Sequence, residues 1–446
     1  MASRNSKGAW LALAVWLGAG RLAAQAPLQL SLADAVRLAA GEAPVVALAS
    51  LRTAEADARV REARGALLPS LSVGGYWLNR TFNSKSLGIS FPAIPGQPPF
   101  PELIGPFNNY DARVSAAQTL FDWSSVQRVR AASAQAAGSR AYQSVTVEGS
   151  AVTAALAYLR TVRAQASVAA RQADSSIAVE LVTLAQAQKA AGVSAAIDVT
   201  RARAQLVTAE GLLIVARNQL DRGRIDVARA LGLDPATPLT LTDTLVGTLG
   251  VAAVPATRDS GIAAALVNRP ELRSEIARGA AARQTGSAIR AERLPRLVVA
   301  GDYGSNGPTV PHAIATRDLT LQVSLPILDG FRREARVSEQ DAVARESQVR
   351  EADLRRQIAA EVDAALLDLR SAQAQQLVAA EQLRLAADEL AQSRERFKAG
   401  VAGNIEIIDA QTKLIRARDT DIDARFASAL AHITLARAVG VARTLH

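Results

Sequence analysis

The chain has 446 residues, a formal net charge of +9, no cysteine and three histidines. Hydrophobic residues make up 49% of it but aromatics only 4%; alanine supplies the difference, and it favours long helices packed side by side over a thick globular core. Disulfides, thiolate metal sites and a lipid-carrying cysteine are excluded, and arginines dispersed among Asp and Glu along helical faces argue against a nucleic-acid partner.

In chain order, Arg4 and Lys7 precede an apolar run from Ala9 to Ala19 and then Ala24-Gln25-Ala26, so residues 1–26 read as a secretory signal peptide. No later apolar run reaches 18 residues. An exported chain of this kind enters a membrane only as a closed β-barrel. Ser31-Leu32-Ala33-Asp34 predicts a capping box and a short helix to about Ala40. Pro44 stands where an N1 proline would, opening a helix to about Leu67.

The period then changes from 3.6 to 2, predicting a strand over about 71–82, a proline-crowded loop over Phe91–Pro106, and a strand over about 110–122. In the latter, Ala112, Val114, Ala116 and Leu120 face one way, while Asp111, Arg113, Ser115 and Thr119 face the other. Nearby Tyr76, Trp77, Phe82, Phe91, Phe107 and Tyr110 suit a membrane interface. No proline occurs between Pro106 and Pro235, which leaves room for one helix over 123–190, a turn at Gly192, and a returning helix over 195–231. Residues 27–234 form the first structural repeat, and 235–258 an equatorial linker.

Residues 259–446 repeat the plan. Pro270 matches Pro44 and opens a helix to about Arg293; strands follow over about 297–304 and 318–328, with a loop over Gly304–Thr316. Leu319, Leu321, Val323, Leu325 and Ile327 alternate with Asp318, Thr320, Gln322, Ser324 and Pro326. A long helix over 330–399 and a return over 405–439 complete the copy. Gly192 and Gly400 are 208 residues apart, as are Gly232 and Gly440. Each returning helix is too short to flank a long one alone, so the proline-initiated helix must fill the remainder end to end.

No catalytic site, cofactor site or metal site emerges. His312, His432 and His446 have no carboxylate at ligand spacing. Asp419, Asp421 and Asp423 start like a calcium loop, but Ala424 and Leu430 replace the required glycine and glutamate, which leaves a solvated helix face. Glu406 and Asp409 lie on one helix face just after Gly400, where the helix dipole alone would favour them.

Four strands, two loops and coaxial helices in a duplicated, exported chain resemble the TolC-type outer-membrane efflux proteins. Leu32-Ala33-Asp34-Ala35-Val36, Leu68-Pro69-Ser70-Leu71, Asn268-Arg269-Pro270-Glu271-Leu272 and the run from Ala399-Gly400-Val401 to Asp409-Ala410-Gln411 carry the resemblance, from Leu30 to about Val441. Four strands cannot close a barrel, so the chain must oligomerise. The resemblance implies a homotrimer: a mainly α protein whose duplicated units form an α-barrel tunnel and whose four strands enter a 12-stranded transmembrane barrel in outer-membrane lipid. It further implies a periplasmic adaptor (a membrane fusion protein) and an inner-membrane transporter as partners. Glu406, Asp409 and Asp198 take the places of a periplasmic aperture, and Gly192, Val193, Gly400 and Val401 those of adaptor-docking tips. Ala402 stands where some relatives carry a basic residue of the closing lock. The function implied is the passive exit duct of a tripartite efflux pump or type I secretion system, rather than an enzyme; a periplasmic coiled-coil scaffold without a pore is the alternative.

Overall fold

A computed structural model describes residues 27–88, 96, 101–245, 249, 257–399, 401 and 403–445. Residues 1–26, read above as a signal peptide, most of the Phe91–Pro106 loop, part of the 235–258 segment read as a linker, Gly400 and Ala402 lie outside the described residues.

The first repeat comprises β1 (Leu28–Leu30), α1 (Leu32–Glu42), α2 (Pro44–Gly65), β2 (Ser70–Asn83), β3 (Leu103–Phe121), α3 (Trp123–Ala190) and α4 (Ala196–Leu231). After β4 (Leu239–Leu241), the second comprises α5 (Arg258–Asn268), α6 (Pro270–Ala291), β5 (Arg296–Gly307), β6 (Ile314–Ser324), α7 (Arg332–Lys398) and α8 (Asn404–Val439). Local chemistry sets the boundaries. The Ser31 hydroxyl accepts from the Asp34 amide at 3.1 Å and donates to its carboxylate at 2.7 Å, which caps α1. Pro44 and Pro270 occupy the first helical position, where a missing N–H costs nothing. Asp122 caps α3 by accepting from the Ser125 amide.

The 68 residues of α3 span about 100 Å at 1.5 Å per residue. It packs against α2 and α4, and separately against α6 and α8; α7 packs against α6 and α8 in turn. The helices therefore form one layer in the order α2/α4, α3, α6/α8, α7. End-to-end stacking is visible at two equivalent joints. A Cβ on Gly232, which ends α4, would lie 2.5 Å from Pro44 Cδ at the start of α2. One on Gly440, which ends α8, would lie 3.0 Å from the Arg269 amide just before α6. Both glycines have positive φ, +75° and +81°, so only glycine satisfies both the turn and the close approach.

The main core sits at mid-height on one face of this layer. There α1, the parallel pair β1–β4 and the C-terminal turn cover Ala151, Ala155, Tyr158 and Val162 of α3. The fully buried Tyr158 donates to the carbonyl of Leu30 at 2.8 Å and lies 2.9 Å from the Asp243 carboxylate, so the linker is tied to the amino-terminal segment. Burial, together with the hydrogen bond to and charge of Asp243, pushes the Tyr158 phenol well above its ordinary range.

At one end of the layer, β2–β3–β5–β6 form an antiparallel sheet with β2 and β6 as open edges. Some strand limits differ from those read in sequence. β6 ends at Ser324, which pairs with Arg296, the first residue of β5, so Leu325–Ile327 have no strand partner, and the Pro326 carbonyl accepts from Arg333 Nη2 at 3.1 Å instead. Pro106 falls inside β3, where the register with β2 shifts between Arg80 and Phe82, a bulge that tolerates a missing donor. α7 starts at Arg332 because Phe331 has a positive φ of 61°.

Candidate tunnel wall and aperture

Antiparallel partners share a sheet face, and the register sorts this sheet into two unlike sides. Val73, Val114 and Tyr303 are aligned across three strands; Leu71, Ala116, Gly301 and Leu319 across four. With Val299–Leu321 and Leu297–Val323 they make a mainly apolar side, interrupted by Arg317 opposite Tyr303 and Gln118 opposite Val299. Leu71, Val73, Leu319, Leu321 and Val323 are each at least 65% exposed. Trp77 pairs with Tyr110 on the same side, toward the β2–β3 loop. The opposite side aligns Ser72, Ser115, Asp302 and Asp318. There Arg113 donates to Asp111 at 2.7 Å and to Asp302 at 2.8 Å. A bare apolar side suits lipid, and a polar side suits a water-filled lumen.

At the far end of the helical layer, the two hairpin turns stand at corresponding positions. Gly192 has φ +75°, and the Val193 amide donates to the Gln188 carbonyl at 3.0 Å, closing α3 with a Schellman bond. The Val401 amide donates to Arg396 in the same way at 3.0 Å. Val193, Ile197, Val401 and Ile405 are all more than half exposed. Four exposed apolar side chains thus project around the two tips.

Asp198, Glu406 and Asp409 lie in the first two turns of the returning helices. Asn404 Nδ2 donates to the backbone carbonyl of Asp198 at 3.0 Å, joining the two helix starts. Asp198 accepts from Ser194 Oγ at 2.8 Å and has Arg201 at 3.7 Å. Glu406 accepts from Arg396 Nε at 2.9 Å. Asp409 meets Lys413 Nζ at 2.9 Å, and that ammonium also bonds Glu389 at 2.7 Å. Hydrogen bonds donated to Glu389 and Asp409 raise the Lys413 pKa, so the lysine stays charged. Every acidic residue read as part of the aperture therefore has a cation on its own chain. Sequence reasoning missed Arg396, Lys413 and Glu389. The i, i+4 spacing of Asp409 and Lys413 was a visible signal; the pairing of Arg396 with Glu406 across the turn was not.

The Asp419–Asp423 run is absorbed by arginines. Asp419 accepts from Arg171 at 2.5 and 2.6 Å, Asp421 from Arg425 at 2.7 Å, and Asp423 pairs with Arg163 at 2.7 Å. Two of these reach from α3, so the acidic stripe stitches α8 to α3.

Comparison with known proteins agrees with this geometry. The family described as Outer membrane efflux protein matches residues 35–233 and 261–441. Protein CyaE of Bordetella pertussis is 26% identical over 406 residues, covering 88% of this chain and 80% of its own. Among solved structures, the outer membrane protein VceC of Vibrio cholerae superposes with a TM-score of 0.72 at 17% identity, over 92% of this chain and 96% of its own. The Campylobacter jejuni CmeC outer membrane channel gives 0.77 at 16% identity, over 92% and 86%.

Proposed function

The chain belongs to the outer membrane efflux protein family, and from that premise we propose how its parts serve export. It is an outer-membrane exit duct for efflux or secretion, a passive channel that extends into the periplasm. The observation that carries this reading is the two-sided sheet continuous with helices of 68 and 67 residues. Such a sheet has no stable place in water, because its apolar side is uncovered and both edges are open.

Three copies close the sheet, β6 of each against β2 of the next, while α7 meets the α2/α4 edge of the same neighbour. The two edges differ, so the contact is head-to-tail and closes as a ring. Residues 1–26 direct export and are removed, and the two repeats span 27–234 and 259–446 about the 235–258 linker. The tips at Gly192-Val193 and Gly400-Val401 dock a periplasmic adaptor, supported by the exposed Val193, Ile197, Val401 and Ile405. The adaptor links the duct to an inner-membrane transporter that supplies energy. Glu406, Asp409 and Asp198 frame the periplasmic aperture.

The test is biochemical. The protein should partition with the outer membrane as a trimer, and the purified trimer should form pores in planar bilayers. A cysteine at Thr309, between β5 and β6, should react with an impermeant reagent in intact cells. Recovery as a soluble periplasmic species without pore activity would reject the reading in favour of a scaffold.

A further inference from the structure

The bare face of the helical layer carries a cavity of about 1420 Å³ between α3, α4 and α8. On α3 its lining includes Thr146, Gly149, Thr153, Ala157, Arg160 and Ala164, a stripe spaced by three and four. At 100° per residue this stripe lies opposite Ala151, Ala155, Tyr158 and Val162, which pack beneath α1. The covered face cannot line an open tunnel, because α1 and the β1–β4 pair would obstruct it. The cavity therefore faces the lumen at mid-tunnel, an assignment that rests on the duct reading above.

Its charges do not balance. Five arginines line it (Arg160, Arg163, Arg171, Arg222 and Arg229) against Asp226, Asp419 and Asp423. Two of the arginines are neutralised: Arg163 by Asp423 at 2.7 Å, and Arg171 by Asp419 at 2.5 Å. Arg160, Arg222 and Arg229 are exposed and have no ion-pair partner among the described residues, and neither has Asp226, so two positive charges remain in excess. Ser167 adds a hydroxyl to the same surface, whereas Thr146 and Thr153 donate theirs to the Tyr142 and Gly149 carbonyls at 3.2 and 2.8 Å.

We propose that this surface is an anion-binding belt, in which Arg160 and Arg222 of each protomer select multivalent anionic groups on cargo in transit. Guanidinium groups suit the task, since they stay charged and present planar pairs of donors to phosphate, sulfate or carboxylate. Their repetition around a narrow tube concentrates counter-ions, as rings of basic side chains do in anion pores. The belt is distinct from the aperture, where acidic groups are paired in-chain. A cargo bearing clustered acidic groups would be retained at mid-tunnel, whereas a polycation would be repelled.

The experiment uses the full-length trimer in planar bilayers, with inorganic tripolyphosphate as probe on the outer side. Wild type should show tripolyphosphate block that weakens steeply as salt rises, given a screening length of about 8 Å at 0.15 M. The double variant R160Q/R222Q should lose at least tenfold in blocking affinity at unchanged conductance in the absence of the probe, and R160K/R222K should retain most of the block. R37Q, on α1 at the opposite face of the layer, should leave it unchanged. Equal block in wild type and R160Q/R222Q, or loss in R37Q alone, would overturn the belt while leaving the duct intact. Absence of any conductance from correctly inserted wild-type trimer would overturn the duct reading and the belt with it.

Discussion

Arg396 Nε, in the last turn of α7, stands 2.9 Å from Glu406 Oε1 in the first turn of α8. The pair spans the turn, so it acts both on the charge of the aperture and on the angle between the two helices. Both side chains are substantially exposed, which limits its direct stabilisation but not its electrostatic effect. Removing one partner frees the other's charge. Glu406→Ala should make the resting pore less cation-selective and weaken block by a trivalent cation, and Arg396→Ala should move both in the opposite direction. Reversal potentials under a salt gradient decide this. Shifts of the same sign in the two variants would mean that neither group faces the pore.

Much of this fold was legible because its punctuation is local. Pro44 and Pro270 mark helix starts by lacking an N–H, and Gly232 and Gly440 mark ends by accepting positive φ. The period-2 run at Leu319, Leu321 and Val323 lies within β6 because its alternation matches the pleat. Less was legible where partners come from distant chain segments. Arg171 and Asp419 are far apart in sequence yet meet at 2.5 Å, and nothing in either neighbourhood announces the other. Strand limits failed for a related reason, since pairing extends as far as the partner strand allows. The alternation in sequence continues past Ser324, but β5 does not.

The hairpin tips allow a test that separates turn geometry from docking. Gly192→Ala places a Cβ at φ +75° and should destabilise the turn by about 1–2 kcal/mol. Val193→Asp and Val401→Asp leave the backbone free, yet charge two of the four exposed apolar side chains. Export should fall at least tenfold in the double aspartate variant, with trimer yield and bilayer conductance retained. Full export from that variant would show that adaptor contact lies elsewhere.

Along the α3–α4 seam, Gly223 provides a packing test. A Cβ there would lie 2.8 Å from Thr161 Oγ1 and 3.1 Å from its Cγ2. Thr161 is fully buried, and its hydroxyl donates to the Ala157 carbonyl at 2.8 Å, so it cannot simply turn away. Gly223→Ala should cost about 1–3 kcal/mol through overpacking, despite alanine's better helix propensity. Adding Thr161→Ala removes the clashing atoms and should restore most of the loss. A thermal-denaturation double-mutant cycle in detergent measures the coupling, and strict additivity would mean that the helices separate without strain.

The joint above α8 makes the sharpest claim about pH. Arg269, with 4% of its side chain exposed, bonds Glu361 at 2.6 Å, Glu271 at 3.0 Å and the Ala438 carbonyl at 3.3 Å. It thereby holds α5, α6, α7 and the end of α8 together. Burial pushes the Glu361 carboxyl upward, but hydrogen bonds from Arg269 and Gln357 outweigh it and hold the pKa below its ordinary value. A depressed carboxylate pKa stabilises the fold above the unfolded value and loses that contribution as pH falls through the folded one. Arg269→Met removes the cation and leaves Glu361 beside an apolar side chain, so its pKa should rise. At neutral pH the variant should lose about 3 kcal/mol, as expected when one partner of a buried pair is deleted. Below about pH 4 a carboxylate is increasingly protonated and uncharged, so the stability gap between wild type and variant should narrow on acidification. Thermal unfolding of both proteins at pH 7 and pH 4 measures the gap. If it stays constant, the cost of losing Arg269 lies in packing around Ala438 rather than in the charge of Glu361.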